Sequence, residues 1–241
     1  MDEHRFLEEY DETRYRHPSV TVDLVLLTVK DRTLKALLHH RTQHPERNKW
    51  ALPGNFVGFE ESLDDAARRV ARDKAGVKTA YLEQLYTFGA VNRDPRTRVI
   101  TVAYFGLLPA QQFERAATVV PELAVARIVA NWPGETGGPA KAFSSDNKPL
   151  ALAFDHADIL GLTVKRLRGK IDYSRVGFEL LPRHFALRQL QDIYEAILDK
   201  QLNKPAFRRR MLDKNILEPT GLYEQGASFR PAELYRFTKT V

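Results

Sequence analysis

Residues 18–29, PSVTVDLVLLTV, are apolar and β-branched and read as a buried strand. Asp31-Arg32 makes a turn, and 33–41, TLKALLHHR, reads as the hairpin partner. Residues 47–60 hold Pro53 and Gly54 and read as loop with a short strand. A helix follows over about 63–75. Ser62 is its N-cap with Asp65 three residues on, and Gly76 is its stop. Leu63, Ala66, Ala67 and Val70 form its apolar stripe. Two further strands are expected at 81–89 and 98–107, separated by the polar loop 91–98 with three arginines. Residues 110–120 read as helical and 122–131 as strand or short helix. Residues 133–149 read as loop, and 150–170 as a helix turning basic at its end.

The last sixty residues have a different rhythm. Residues 185–198 place Leu187, Leu190, Ile193, Tyr194 and Ile197 at helical spacing. A short turn leads to Asn203, an N-cap, with Lys204 and Pro205 in the first turn of a second helix over about 204–214. Phe207 and Met211 share its inner face. Two extended runs, 216–223 and 229–237, close the chain. Helix, turn, helix, hairpin is the order of a winged helix-turn-helix. The expected domains are 1–170 and 171–241, divided in the stretch 170–181.

Composition narrows the function. The chain has 241 residues and no cysteine, which excludes disulfide-stapled modules and Cys-based zinc sites. The net charge of +6 is unevenly placed. Residues 163–241 hold 16 Lys/Arg and 9 Asp/Glu; residues 1–162 hold 21 and 22. The excess therefore sits on the helix-turn-helix-wing pattern, which points to duplex DNA. Lys204, Arg208 and Arg209 are candidates for the major groove, Arg210 for a phosphate, and Arg230 and Arg236 on the wing for flanking backbone or minor groove. Each good bidentate base contact discriminates by about 1–3 kcal/mol. A two-fold pair of winged helices would read a palindromic operator, so a homodimer is expected. No segment has the length of a spanning helix and the N-terminal stretch has no apolar h-region, so no membrane partner and a cytoplasmic location are expected. There is no G-x-S-x-G, P-loop or G-x-G-x-x-G, and the histidines show no metal spacing. An RNA-binding protein ranks last, because the aromatic sheet motif of single-strand readers is missing.

Leu52-Pro53-Gly54 followed by the capped helix and its stop glycine resembles the Nudix fold, an α/β/α sandwich. Laid on the Nudix signature G-x5-E-x7-R-E-U-x-E-E-x-G-U from Gly76-Val77, Asn55 takes the first glycine, Glu61 the first glutamate and Arg69 the arginine. Val70 and Lys74 stand where glutamates belong, with Asp73 beside them. An anchor on Gly58 places Asp64, Arg72 and Asp73 well but puts Thr79 at the stop glycine. The resemblance implies a diphosphate pocket and, in active members, divalent metal held by helix carboxylates. With Val70 and Lys74 in place of ligands, the scaffold reads as having lost hydrolysis, with no catalytic residue and no required cofactor. Glu61 and Asp73 are the remaining metal candidates, for magnesium or manganese only if hydrolysis persists. The alternative is an active hydrolase of ADP-ribose-like substrates using Glu60, Glu61 and Asp73.

Together SVTVDLVLLTV, WALPGNFV, ESLDDAARRVA, LEQLYTFGAVNRDPRTRVITVAYFGL and FRPAELYRF resemble the Nudix-related transcriptional regulators (NrtR). That resemblance implies an α/β Nudix-like sandwich followed by a winged helix-turn-helix. It also implies a dimeric repressor of NAD biosynthesis and salvage genes, released from DNA by ADP-ribose. Candidate effector contacts are Arg41, Asn55, Phe56, Glu60, Glu61, Arg93, Arg96 and Arg98, the arginines because guanidinium forks suit phosphate oxygens.

Overall fold

The computed structural model describes residues 2–225 and 231–238. A short helix α1 (Glu3–Glu8) precedes the hairpin β1 (Ser19–Lys30) and β2 (Thr33–His40). The short strands β3 (Trp50–Ala51) and β4 (Gly54–Phe56) follow, then α2 (Leu63–Ala75), β5 (Tyr81–Phe88), β6 (Val99–Leu107), α3 (Ala110–Val119) and β7 (Leu123–Val129). The chain continues through β8 (Lys141–Phe143), β9 (Pro149–Leu150) and α4 (His156–Lys170). The winged helix comprises β10 (Phe185–Ala186), α5 (Leu187–Leu198), α6 (Lys204–Asp213), β11 (Leu217–Tyr223) and β12 (Glu233–Phe237).

One nine-stranded sheet runs β5-β6-β1-β2-β7-β8-β9, with β4 added to β1 and β3 to β2. Strands β1 and β6 pair in parallel at the centre. Side chains alternate between sheet faces. Val22, Leu24 and Leu26 of β1 therefore join Ala66, Ala67 and Val70 of α2 and Phe113 of α3. Val25, Leu27 and Val29 enter the opposite core with Ile159, Leu160 and Val164 of α4. That second core continues into Leu190, Ile193 and Tyr194 of α5 and Phe207 and Met211 of α6. The winged helix thus helps cover one face of the sheet.

Helix α2 begins and ends as expected. Ser62 Oγ accepts from the Asp65 N–H at 3.2 Å, and Gly76 takes a left-handed φ of 65°. The segment 133–155 corrects two expectations. Residues 133–149 contain strands β8 and β9 rather than loop throughout. Residues 150–155 are not helical: the Trp50 N–H donates to Ala151 O at 2.8 Å, and the Ala153 N–H donates to Trp50 O at 2.8 Å. Phe154 then turns left-handed, at φ 51°, and α4 starts only at His156. Pairing with β3 consumes the backbone groups that a helix would have used. Residues 122–131 resolve to strand β7. Residues 185 and 186 leave the expected helix to pair with β12. Among the described residues no helix is long and apolar enough to cross a membrane.

Candidate effector pocket and nucleic-acid interface

A cleft of about 200 Å³ opens where β1, β4, the β5–β6 loop and the start of α4 converge. Its floor is a buried ionic network. Arg93 is 5% exposed and donates through Nε and Nη2 to both oxygens of Asp155, at 2.8 and 2.7 Å. The same Nη2 reaches Asp23 Oδ2 at 3.1 Å. His156 Nδ1 accepts the Leu52 N–H at 2.9 Å, which leaves Nε2 facing Asp23 at 3.7 Å. Burial holds the His156 ring well below the ordinary histidine range, so it stays neutral, against the opposing pull of Asp23 and Asp155. Gly54 is required beside this network: a Cβ there would lie 2.3 Å from Asp23 Oδ1.

The walls carry recognition groups. Arg41 donates through Nε and Nη2 to Pro45 O and lies 4.9 Å from the centre of the Phe154 ring. Burial and the nearby Arg96 lower its pKa. Arg96 forms a bidentate pair with Asp94 at 3.0 and 2.7 Å, stands over Phe56 and remains half exposed. Thr21 lines the cleft, and its buried Oγ1 has no hydrogen-bond partner among the described residues.

Of the effector contacts expected from the sequence, Arg41, Asn55, Phe56, Arg93 and Arg96 come together at this cleft. Glu60, Glu61 and Arg98 do not line it. Arg93 is not the free phosphate fork expected, because Asp23 and Asp155 occupy it. Arg98 donates to Ala90 O at 2.9 Å. Glu61 is held by Arg69 at 2.5 and 2.9 Å and by the Gly58 N–H at 2.7 Å; these bonds hold its carboxyl at about 2. That contact joins the glutamate and arginine of the register anchored on Gly76. Val70 is fully buried against the sheet, Asp73 pairs with Arg72 at 2.7 Å, and Lys74 is exposed.

Sequence reasoning missed Thr21, Asp23, Phe154, Asp155 and His156. Only Asp23 carried a signal, as a carboxylate interrupting an otherwise apolar strand. The others are brought in by tertiary structure.

In the winged helix, Asn203 Oδ1 caps α6 by accepting the Ala206 N–H at 3.0 Å. Phe207 and Met211 are buried, and Phe207 meets Tyr194 edge-on at 5.1 Å. Lys204, Arg208 and Arg209 are exposed, Arg208 within 3.2 Å of the Tyr235 hydroxyl. Arg210 is exposed as well, but its guanidinium lies over the Tyr194 and Phe207 rings and pairs with Asp172 at 3.3 Å, contacts that brace the fold. Arg236 pairs with Glu218 at 2.8 Å. Arg230 lies outside the described residues.

Residues 17–130 match the NUDIX domain family, and residues 177–237 match the NrtR DNA-binding winged helix domain. Over 237 residues the chain is 36% identical to the ADPR responsive transcriptional repressor NtrR of Acinetobacter baylyi, covering 98% of this chain and 88% of that protein. Its fold matches Shewanella oneidensis NrtR complexed with a 27mer DNA at a TM-score of 0.75 and 34% identity, covering 91% of this chain and 93% of the other. The NUDIX domain of the Shewanella protein complexed with ADP ribose matches at a TM-score of 0.52 and 30% identity, over 69% of this chain and 99% of that one. With both domains in the expected order and the likeness running nearly end to end, the chain belongs to the NrtR family of Nudix-related transcriptional regulators.

Proposed function

We propose that this chain is a cytoplasmic, homodimeric DNA-binding repressor of NAD biosynthesis or salvage genes, released by ADP-ribose or a related nucleotide diphosphate. One observation carries the reading: an arginine-walled NUDIX cleft and a basic recognition helix share a single hydrophobic core, within a chain 36% identical to the Acinetobacter repressor. Arg41 and Arg96 offer guanidinium hydrogens to a diphosphate, and Phe56 and Phe154 offer flat apolar surface. Lys204, Arg208 and Arg209 face the major groove. Such a switch needs different effector affinities in the DNA-binding and released forms.

In this reading the pocket binds without hydrolysing and needs no cofactor. A divalent cation requires converging oxygen ligands. The position after Arg69 is a buried valine, both Glu61 oxygens are engaged, and Asp73 is paired, so these residues do not fit magnesium or manganese. The decisive experiment is a mobility shift with promoter duplex at fixed salt, with and without ADP-ribose. A specific complex weakened by ADP-ribose is expected. No specific complex would sink the regulator, and a complex indifferent to ADP-ribose would remove this effector. AMP release from ADP-ribose with magnesium or manganese, abolished by Glu61→Gln, would instead establish hydrolysis.

A further inference from the structure

The β1–β2 hairpin turns on Asp31 and Arg32, both left-handed, with φ of 52° and 56°. Two-residue turns of this kind favour Asn, Asp and Gly. An arginine gains nothing locally there, and its side chain leaves the hairpin. Arg32 Nη2 lies 2.5 Å from Glu195 Oε2, and Arg32 Nε lies 3.6 Å from Asp192 Oδ1, both on α5.

Glu195 is no ordinary surface carboxylate. Its side chain is 8% exposed, and Oε1 accepts the Leu202 N–H at 2.8 Å and Gln191 Nε2 at 2.9 Å. Gln191 Nε2 also donates to Leu202 O at 3.0 Å. Leu202 immediately precedes Asn203, the cap of α6. Glu195 therefore ties down the turn of the helix-turn-helix, and Arg32 supplies its counter-charge from the other domain. The opposite end of the same hairpin lies at the effector cleft, where β1 contributes Thr21 and Asp23 and the residue after β2 is Arg41. From Asp23 to Lys30 the strand spans about 23 Å at its usual rise.

We propose that Arg32 is a positioning residue: through its ion pair with Glu195 the β1–β2 hairpin sets the pose of the α5–α6 turn, coupling the cleft to the recognition helix. The inference rests on the proposed function for the identity of the effector and of the DNA. Arg32 itself touches neither.

The test uses the full chain and a duplex that the wild-type protein selects from a random-sequence pool. Arg32→Ala is expected to weaken that complex roughly 3- to 10-fold, the range of a half-exposed charged contact. Glu195→Gln is expected to weaken it as well, although removing a negative charge would by simple electrostatics tighten it. The double variant should lose no more than the weaker-binding single variant. Arg32→Lys should retain most of the affinity. The slope of log affinity against log salt should stay unchanged in Arg32→Ala; loss of a phosphate contact would reduce it by about 0.9. ADP-ribose affinity by calorimetry should remain that of the wild type, while the factor by which ADP-ribose weakens the DNA complex falls toward one. Wild-type DNA affinity in Arg32→Ala, additive losses in the double variant, a reduced salt slope or an undiminished ADP-ribose factor would each overturn the proposal. If the wild type selects no duplex, the functional reading fails separately. The coupling is then read from amide exchange at Leu202, which accelerates in Arg32→Ala if the hairpin holds the turn and is unchanged if it does not.

Discussion

Asp23 shows how much one buried residue organises. It receives Arg93, faces His156 and leaves Gly54 no room for a side chain. Its carboxylate is held from two sides, so it cannot swing away from an added methyl. Gly54→Ala is therefore expected to destabilise the fold by about 1–3 kcal/mol, as overpacking does, and to weaken ADP-ribose binding. Urea denaturation and calorimetry would check this, and wild-type values in both would contradict it. His156 gives a pH test. Its folded pKa is lowered by burial, so the stability it contributes is fully present above its ordinary value of 6.5 and is lost as pH falls below that. Protonation would also cost the Leu52 N–H its acceptor. The urea midpoint of the wild type is expected to fall more steeply between pH 7 and pH 5 than that of His156→Gln; equal slopes would count against it. The sequence exposed these residues unevenly. Arg93 and Arg96 of the 91–98 loop line the cleft and Arg98 does not, and a sequence shows charges without their partners. Arg93 reads as free until Asp155 arrives from 62 positions away.

Local rules decided which elements could be read from the chain. Helix α2 announces itself through Ser62, Gly76 and its apolar stripe, and strands β1 and β6 through continuous β-branched runs. The stretch 150–155 carried no such punctuation. Its apolar residues suit a helix, and only the backbone bonds to Trp50 make it extended. Helix α4 then packs closely on the 133–140 segment: a Cβ on Gly161 would lie 1.8 Å from Gly138 O. Because that neighbour is backbone, Gly161→Ala should displace the helix and cost upward of about 3 kcal/mol. A thermal midpoint within a degree of wild type would rule this out. Helix α6 separates its arginines by role in a way composition could not. Both Arg209 and Arg210 are exposed, but only Arg210 lies over Tyr194 and Phe207 and pairs with Asp172. Arg209→Ala should weaken DNA binding, with a salt slope reduced by about 0.9 if it contacts phosphate. Arg210→Ala should lower thermal stability and leave that slope intact. The reverse pattern would exchange their roles.

At the scale of the whole molecule, the two family matches are separate in sequence but share one core. The NUDIX match ends at 130 and the winged-helix match begins at 177. The intervening segment contains α4, whose Arg168 donates to Trp132 O and Gly134 O on one side and to Ile197 O of α5 on the other. Helix α5 packs on β1, β2 and α4, and one apolar cluster runs from Val25 to Met211. Charge patterning revealed the DNA-binding third, but it could not reveal that this third also covers the sheet. Residues joined through one core unfold together. Heating should therefore give a single transition. A ligand at one hundred times its Kd adds about 2.7 kcal/mol to that transition, equivalent to a rise of roughly 5–10 °C in a chain of this size. If ADP-ribose binds at the NUDIX cleft as proposed, it should also slow amide exchange in α5, none of whose residues line that cleft. Calorimetry and hydrogen exchange measure the two effects separately. Two resolved transitions, with only the lower or the upper one shifted by ADP-ribose and α5 exchange unchanged, would mean that the domains share a boundary without sharing stability.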